Sequence, residues 1–332
     1  MVHFRSYRIL FQVPGFSASE KWETLPVIVK ESVVSQVADH LMAIFTFRFD
    51  CAGSLYLSEH SENGIIVGPI VSTPFYRALD GVVRIPDADT TSYAELFRLR
   101  GPFSNVSDYL QSFLLAELHF LSHHRSIALS ELDGEDEKAA VIHLEQGERV
   151  LQKALKLCSV YPGDIQILAS VQETTPIKPF SLRLDDFRLS NIMVRRSPCS
   201  RFICFWLHTV HEQIDESGRV TGIIDFEGAT IAPLWECALL PRWLQDPDDP
   251  ESTYEGGSAE SRQTLRALFL EKVENDEEWK VLYERGKPFR LLSDRLSFQV
   301  GVWASDDMEA WVDERLAWAK EHPGVGFLER DV

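Results

Sequence analysis

Hydrophobic positions in this chain keep a helical rhythm over most of its length and a strand-like one in a few short pieces. Between 26 and 45, Val29, Val33, Val37, Leu41 and Ile44 recur at helical spacing. Pro26 suits the first turn of that helix, where its missing N–H is not needed. Residues 105–123 predict a stronger helix, with Ser107 and Asp108 near its start and a broad apolar face. Residues 93–100 read as a short helix. The acidic run ELDGEDEK (131–138) reads as a solvated loop, followed by a long amphipathic helix to about Cys158. Residues 233–244 read as helical and DPDDPE (246–251) as a loop. The stretch 258–320 is helix-rich, with Trp279, Trp303, Trp311 and Trp318 as packing anchors. Trp235 and Trp303 read as core residues rather than platforms for a substrate.

The strand-like pieces are shorter. YRILFQV (7–13) reads as a strand stopped by Pro14-Gly15, and 54–57 and 64–71 as two strands joined by the polar turn SEHSEN. Further β pieces fall at 181–184 and 192–194. VTGIIDF (220–226) is β-branched and apolar, the pattern of a buried strand. No internal repeat is visible. The expected fold class is α+β, a mostly helical body holding a few short strands whose loops carry the polar residues of interest.

Composition narrows the class. The chain has 332 residues, 45% of them hydrophobic and 25% charged, with a net charge of −18, the profile of a globular protein with a sizeable core. Such acidity argues against a nucleic-acid partner, which needs clustered Lys and Arg, and against an anionic membrane surface. A small cationic substrate would suit the field. No apolar run approaches the roughly 20 residues of a membrane span. Arg5 and Arg8 interrupt the apolar N-terminus, so no signal peptide is expected. Five scattered Cys do not suggest a disulfide framework, and a reducing, cytoplasmic setting is the expectation.

Two segments carry candidate chemistry: SLRLDDFRLSNIMV (181–194) and GIIDFEGA (222–229). Phosphoryl transfer needs a carboxylate to orient and deprotonate the attacking hydroxyl, and hard oxygen ligands to hold Mg²⁺ against phosphates. Asp186 precedes Asn191 by five positions on a loop closed by a strand, a spacing that lets the Asp face an acceptor and the Asn amide face a metal. Arg188 on that loop can steady a phosphate or pair with a neighbouring acid. Asp225 is expected at the C-terminal edge of a buried strand, and Glu227 either reaches the metal or caps the following turn.

These two segments resemble the aminoglycoside phosphotransferase/choline kinase-like family, whose H-x-D-x-x-x-x-N loop is followed by a hydrophobic strand ending in Asp, often I-D-[WF]-E. RFDCAGSLYL and IVGPIV, within 48–71, resemble a hairpin of the fungal members. ATIAPLWECALLPRWL (229–244) resembles their Pro-x-x-[DE] helix, and ILFQVPG (9–15) their interlobe hinge. The resemblance implies a protein-kinase-like fold, here mainly its helical C-terminal lobe, and transfer of the γ-phosphate of ATP to a small-molecule hydroxyl. It casts Asp186 as base and Asn191 and Asp225 as Mg²⁺ ligands, with Glu227 beside them. Phe11 and Val13 would line the adenine slot as hinge residues.

The chain also departs from the family. Leu184 stands where the loop His is expected, and no Lys precedes Lys21, so the ATP-gripping N-terminal lobe is expected to be largely missing and transfer impaired. The expected organisation is a remnant hinge and linker (1–25), a C-terminal lobe (26–325) and an irregular insert (195–214) within it. The insert reads as translated non-coding sequence, a genuine surface loop being the alternative. It holds Cys199, Cys204, His208 and His211, but their C-x₄-C-x₃-H-x₂-H spacing is not a standard zinc pattern. His119, His123 and His124 fall at a helix end, where His suits the negative dipole, and read as structural. The alternatives to a phosphotransferase are a non-catalytic pseudokinase remnant serving as a binding or scaffold domain, and a metal-dependent hydrolase using the same carboxylates.

Overall fold

The computed structural model describes residues 15–60, 64–71, 75, 90–132, 136–160, 178–184, 187–194, 218–226, 229–245, 258–323, 325 and 327. Along these residues run β1 (Phe16–Ser17), α1 (Ala18–Lys21), α2 (Val27–Phe45), β2 (Ser54–Leu57) and β3 (Ile65–Gly68). Next come α3 (Thr90–Arg98), α4 (Val106–His123), α5 (Arg125–Glu131) and α6 (Glu137–Val160). Four short strands follow: β4 (Phe180–Arg183), β5 (Ile192–Val194), β6 (Val220–Ile223) and β7 (Thr230–Pro233). The chain ends in α7 (Leu234–Cys237), α8 (Ala259–Val273), α9 (Glu277–Leu296), α10 (Val300–Trp303) and α11 (Asp306–Glu321). The fold is α+β and mainly helical, with small antiparallel sheets. Among the described residues no helix is long and apolar enough to cross a membrane.

The chain divides into two compact units. The first draws on Met1–Ala43, Asp186–Glu227 and Leu240–Asn275. Its sheet runs β1-β5-β6, all antiparallel, with Phe16 opposite Val194 and Ile192 opposite Ile223. Val29, Val33, Val34 and Val37 of α2 are buried, and Trp22 meets Trp243 edge-on at 5.2 Å. Gln36 reaches out of α2 to the start of β6: its Nε2 donates to the Gly218 carbonyl at 2.8 Å and its Oε1 accepts from the Val220 N–H at 3.0 Å. One helix side chain thereby satisfies two backbone groups that a further strand would otherwise have to satisfy. Gly15 opens β1 at φ +132°, where a Cβ would overlap the Val194 carbonyl.

The second unit draws on Ile44–Asp185, Gly228–Leu239 and Asp276–Val332. Helix α6 lies against α4, α10 and α11. Gly147 lets α6 approach α10 closely, since a Cβ there would sit 2.5 Å from Val300 Cγ2. Helix starts are satisfied by side chains: Asn105, Asp276 and Ser305 accept from the N–H groups of Asp108, Trp279 and Met308. Hairpin β2–β3 pairs Ser54 with Gly68, β4 pairs with β7, and Gly53 exchanges both backbone bonds with Ile231.

Two expectations need correction. The stretch 233–244 is not one helix: Thr230–Pro233 is a strand, α7 is a single turn, and a 3₁₀ turn at Arg242–Leu244 follows Pro241. Pro241 disfavours helical geometry at Leu240, and Ala238 has already left it with ψ 75°. The strand expected over 220–226 stops at Ile223, because Asp225 adopts φ +61° and cannot continue a ladder. The predicted strand 7–13 and the insert 195–214 lie outside the described residues.

Candidate functional site

Buried apolar residues hold the loop that leads into β5. Phe187 and Leu189 are both buried, and Leu189–Asn191 forms a 3₁₀ turn in which the Asn191 N–H donates to the Arg188 carbonyl at 3.0 Å. Ser17, next to the first strand residue, donates from Oγ to the Ser190 carbonyl at 3.0 Å. Asn191 is itself buried, and its Oδ1 accepts from Ser190 Oγ at 3.2 Å. Arg188 is half-buried on the same turn.

Pairing of β5 with β6 then brings the two motif segments together. Ile192 faces Ile223, and the Ile224 N–H donates to the Asn191 carbonyl at 2.9 Å. Asn191 and Asp225 therefore occupy the same end of one antiparallel pair, on strands about 4.8 Å apart. Asp225 is exposed, and its φ of +61° swings the chain away from the sheet immediately after the last ladder bond. Asp tolerates this left-handed conformation better than most residues. An amide oxygen and a carboxylate, both hard donors, thus share one hairpin end, and that donor chemistry fits Mg²⁺. Asp186, Glu227, Phe11 and Val13 lie outside the described residues.

The Pro-x-x-Glu stretch has a different role, within the second unit. Glu236 is 1% exposed although charged. It accepts from Arg183 Nη1 at 2.9 Å, Ser293 Oγ at 2.6 Å and Tyr109 Oη at 3.2 Å. It thus ties β4, α4 and α9 to α7. Burial and the Glu236 charge push the Tyr109 hydroxyl well above the usual phenol range. The same two causes push the neighbouring Cys237 thiol up to about 12. A lone Glu inside the apolar run PLWECALL is the sequence signal for this network, since charges are rarely fully buried without partners. Trp235 and Trp303 are buried as expected, and so is Trp279, whereas Trp311 and Trp318 are half-buried.

Sequence reasoning missed another grouping, also in the second unit. Glu95 of α3 lies against His119 and His123 of α4, with one donor atom from each residue, all within 4.8 Å of one another.

No family model matches the chain, and no solved structure does. Among curated proteins it is similar to subtelomeric hrmA-associated cluster proteins from two strains of Aspergillus fumigatus. Each is 24% identical over 299 residues, covering 79% of this chain and 52% of the relative. The chain spans about half the length of the curated relatives it matches.

Proposed function

We propose that this chain is a phosphotransferase of the aminoglycoside phosphotransferase/choline kinase-like family, with a protein-kinase-like fold, acting on a hydroxyl of a small molecule. The observation that supports this reading is the meeting of SNIMV and GIIDF in one hairpin, with Asn191 and Asp225 at the same end. In this reading Asp186 orients the acceptor hydroxyl and takes its proton, and Arg188 steadies a phosphate oxygen. Asn191 and Asp225 would hold Mg²⁺, with Glu227 beside them, and ATP would lie along Phe11 and Val13. The metal supplies charge neutralisation on the phosphates when bound. The net charge of −18 favours an acceptor bearing an amine.

Calorimetric titration of Mg-ATP into the parent chain and Asp225→Ala tests the proposal. Binding by the parent and at least a tenfold loss in the variant are expected. Two observations favour the second reading, a non-catalytic binding or scaffold domain. Leu184 replaces the loop His, and the Asn191 amide oxygen is already engaged by Ser190. No Mg-ATP binding by either protein would leave that reading standing. Phosphate release from simple esters without ATP would instead favour a metal-dependent hydrolase.

A further inference from the structure

The geometry points to a divalent-metal site of the zinc class, built by Glu95, His119 and His123 and independent of the phosphotransferase reading. The two histidines are four residues apart, so they share a face of α4, and Glu95 comes from α3 beside it. His123 Nε2 lies 3.5 Å and His119 Nδ1 3.8 Å from the same Glu95 carboxylate oxygen. Two arrangements set the scale for these separations. A protonated histidine bonded directly to a carboxylate closes to about 2.7–2.9 Å. Donors at about 2.0–2.2 Å around a tetrahedral Zn²⁺ stand about 3.4 Å from one another. The two Glu95 separations lie within ion-pair reach and near that tetrahedral edge, and the three donor atoms together close to within 4.8 Å, room for one ion among them.

The hydrogen bonds of His123 are compatible with coordination through Nε2. Its Nδ1 lies 2.9 Å from the His119 carbonyl oxygen. Ser122 Oγ lies 2.8 Å from the same Nδ1, and in the tautomer that donates from Nδ1 to the carbonyl the Nε2 lone pair faces the Glu95 oxygen. A ring nitrogen anchored to a backbone carbonyl while its partner coordinates is the usual support of a metal-binding His. The C-terminal end of α4 also carries a partial negative charge, which favours a cation there. His124, the third of the run, packs its ring 5.4 Å from Phe120 and stays outside the donor set. The His119 side chain is 10% exposed, against 34% for His123 and 44% for Glu95, so the group is anchored inside and open outward. Three protein donors with an open fourth position are the composition of a site that retains a water or takes up an anionic ligand.

Titration of Zn²⁺ into the chelator-treated full chain should reveal one equivalent of tight binding, and Co²⁺ should give the intense visible bands of a tetrahedral complex. His123→Gln, His119→Gln and Glu95→Gln should each weaken the affinity by at least about 100-fold, more than loss of an outer-sphere partner usually costs. The metal-free variants should keep the parent circular dichroism and urea midpoint. Cys199→Ser with Cys204→Ser should leave the affinity unchanged. X-ray absorption on the zinc-loaded parent needs no variant and should report imidazole and oxygen donors at about 2.0–2.1 Å. Absence of stoichiometric binding, sulfur scattering at about 2.3 Å, or full affinity in His123→Gln would overturn the assignment.

Discussion

Removing the Glu236 carboxylate should be among the most damaging single changes available to the second unit. Glu236→Gln keeps the volume but abolishes the charge facing Arg183, and its amide nitrogen cannot accept from Tyr109 or Ser293 as the carboxylate oxygens do. Breaking a buried ion pair from one side costs about 3–5 kcal/mol. Arg183 is 25% exposed and recovers some hydration, which moves the expectation to the lower end, about 3 kcal/mol. Tyr109 is almost wholly buried and recovers none. With a urea dependence of about 1–3 kcal/mol per molar, the midpoint should fall by at least about 1 M. Trp235 adjoins Glu236 and packs against Phe289 at 5.9 Å, so tryptophan fluorescence follows the region concerned. Combining Glu236→Leu with Arg183→Met should recover much of the loss, because an apolar pair no longer strands a charge. A loss under about 1 kcal/mol for Glu236→Gln, or strict additivity in the double variant, would refute the claim that this network holds the unit together.

Alkaline unfolding offers a second test, in which the direction follows from the protonated forms being favoured by the fold. An unfolded thiol ionises near 9, whereas Cys237 holds its proton to about 12, and burial pushes the Cys158 thiol up as well. Between those values the unfolded chain binds fewer protons, so stability should fall as pH rises above 9, by about 1.4 kcal/mol per pH unit for each group. Tyr109 adds to the slope above 10, and urea midpoints at pH 8 and 10.5 measure it. Mass-mapped alkylation at pH 8 should leave Cys158 and Cys237 unmodified until the chain unfolds. Gly15→Ala should detach β1 from β5 and cost about 1–3 kcal/mol, read as lost amide-exchange protection at Met193 and Val194. Gln36→Leu should cost about 1–3 kcal/mol, by stranding the Val220 N–H and the Gly218 carbonyl, while Gln36→Glu, which keeps one acceptor, should cost less.

The helices were legible wherever an apolar stripe repeated over several turns, as in α2, whose Val29, Val33 and Val37 are all buried. The helix predicted over 105–123 is capped by Asn105, and its Ser107 and Asp108 do fall in the first turn. Legibility failed at 229–244, an apolar run with no clear period, where strand and helix look alike. Long-range pairing with β4, together with the Gly53–Ile231 bridge, makes Thr230–Pro233 a strand. It failed again at Asp225, since a backbone turned to positive φ leaves no trace in a hydrophobic pattern. In the candidate site, Asn191 and Asp225 were nominated by local motifs. The contact of Glu95 with His119 and His123 joins two helices through tertiary packing, and no spacing rule connects position 95 with position 119.

The left-handed bend at Asp225 separates two demands that a single residue ordinarily fuses. Glycine and asparagine can take φ +61° with little strain, whereas β-branched residues cannot. Retention of a small polar residue at this corner across relatives would therefore record only the shape of the chain. The informative variation is between a neutral and an ionised occupant, because that exchange leaves the bend in place and alters only the ability to counter a cation.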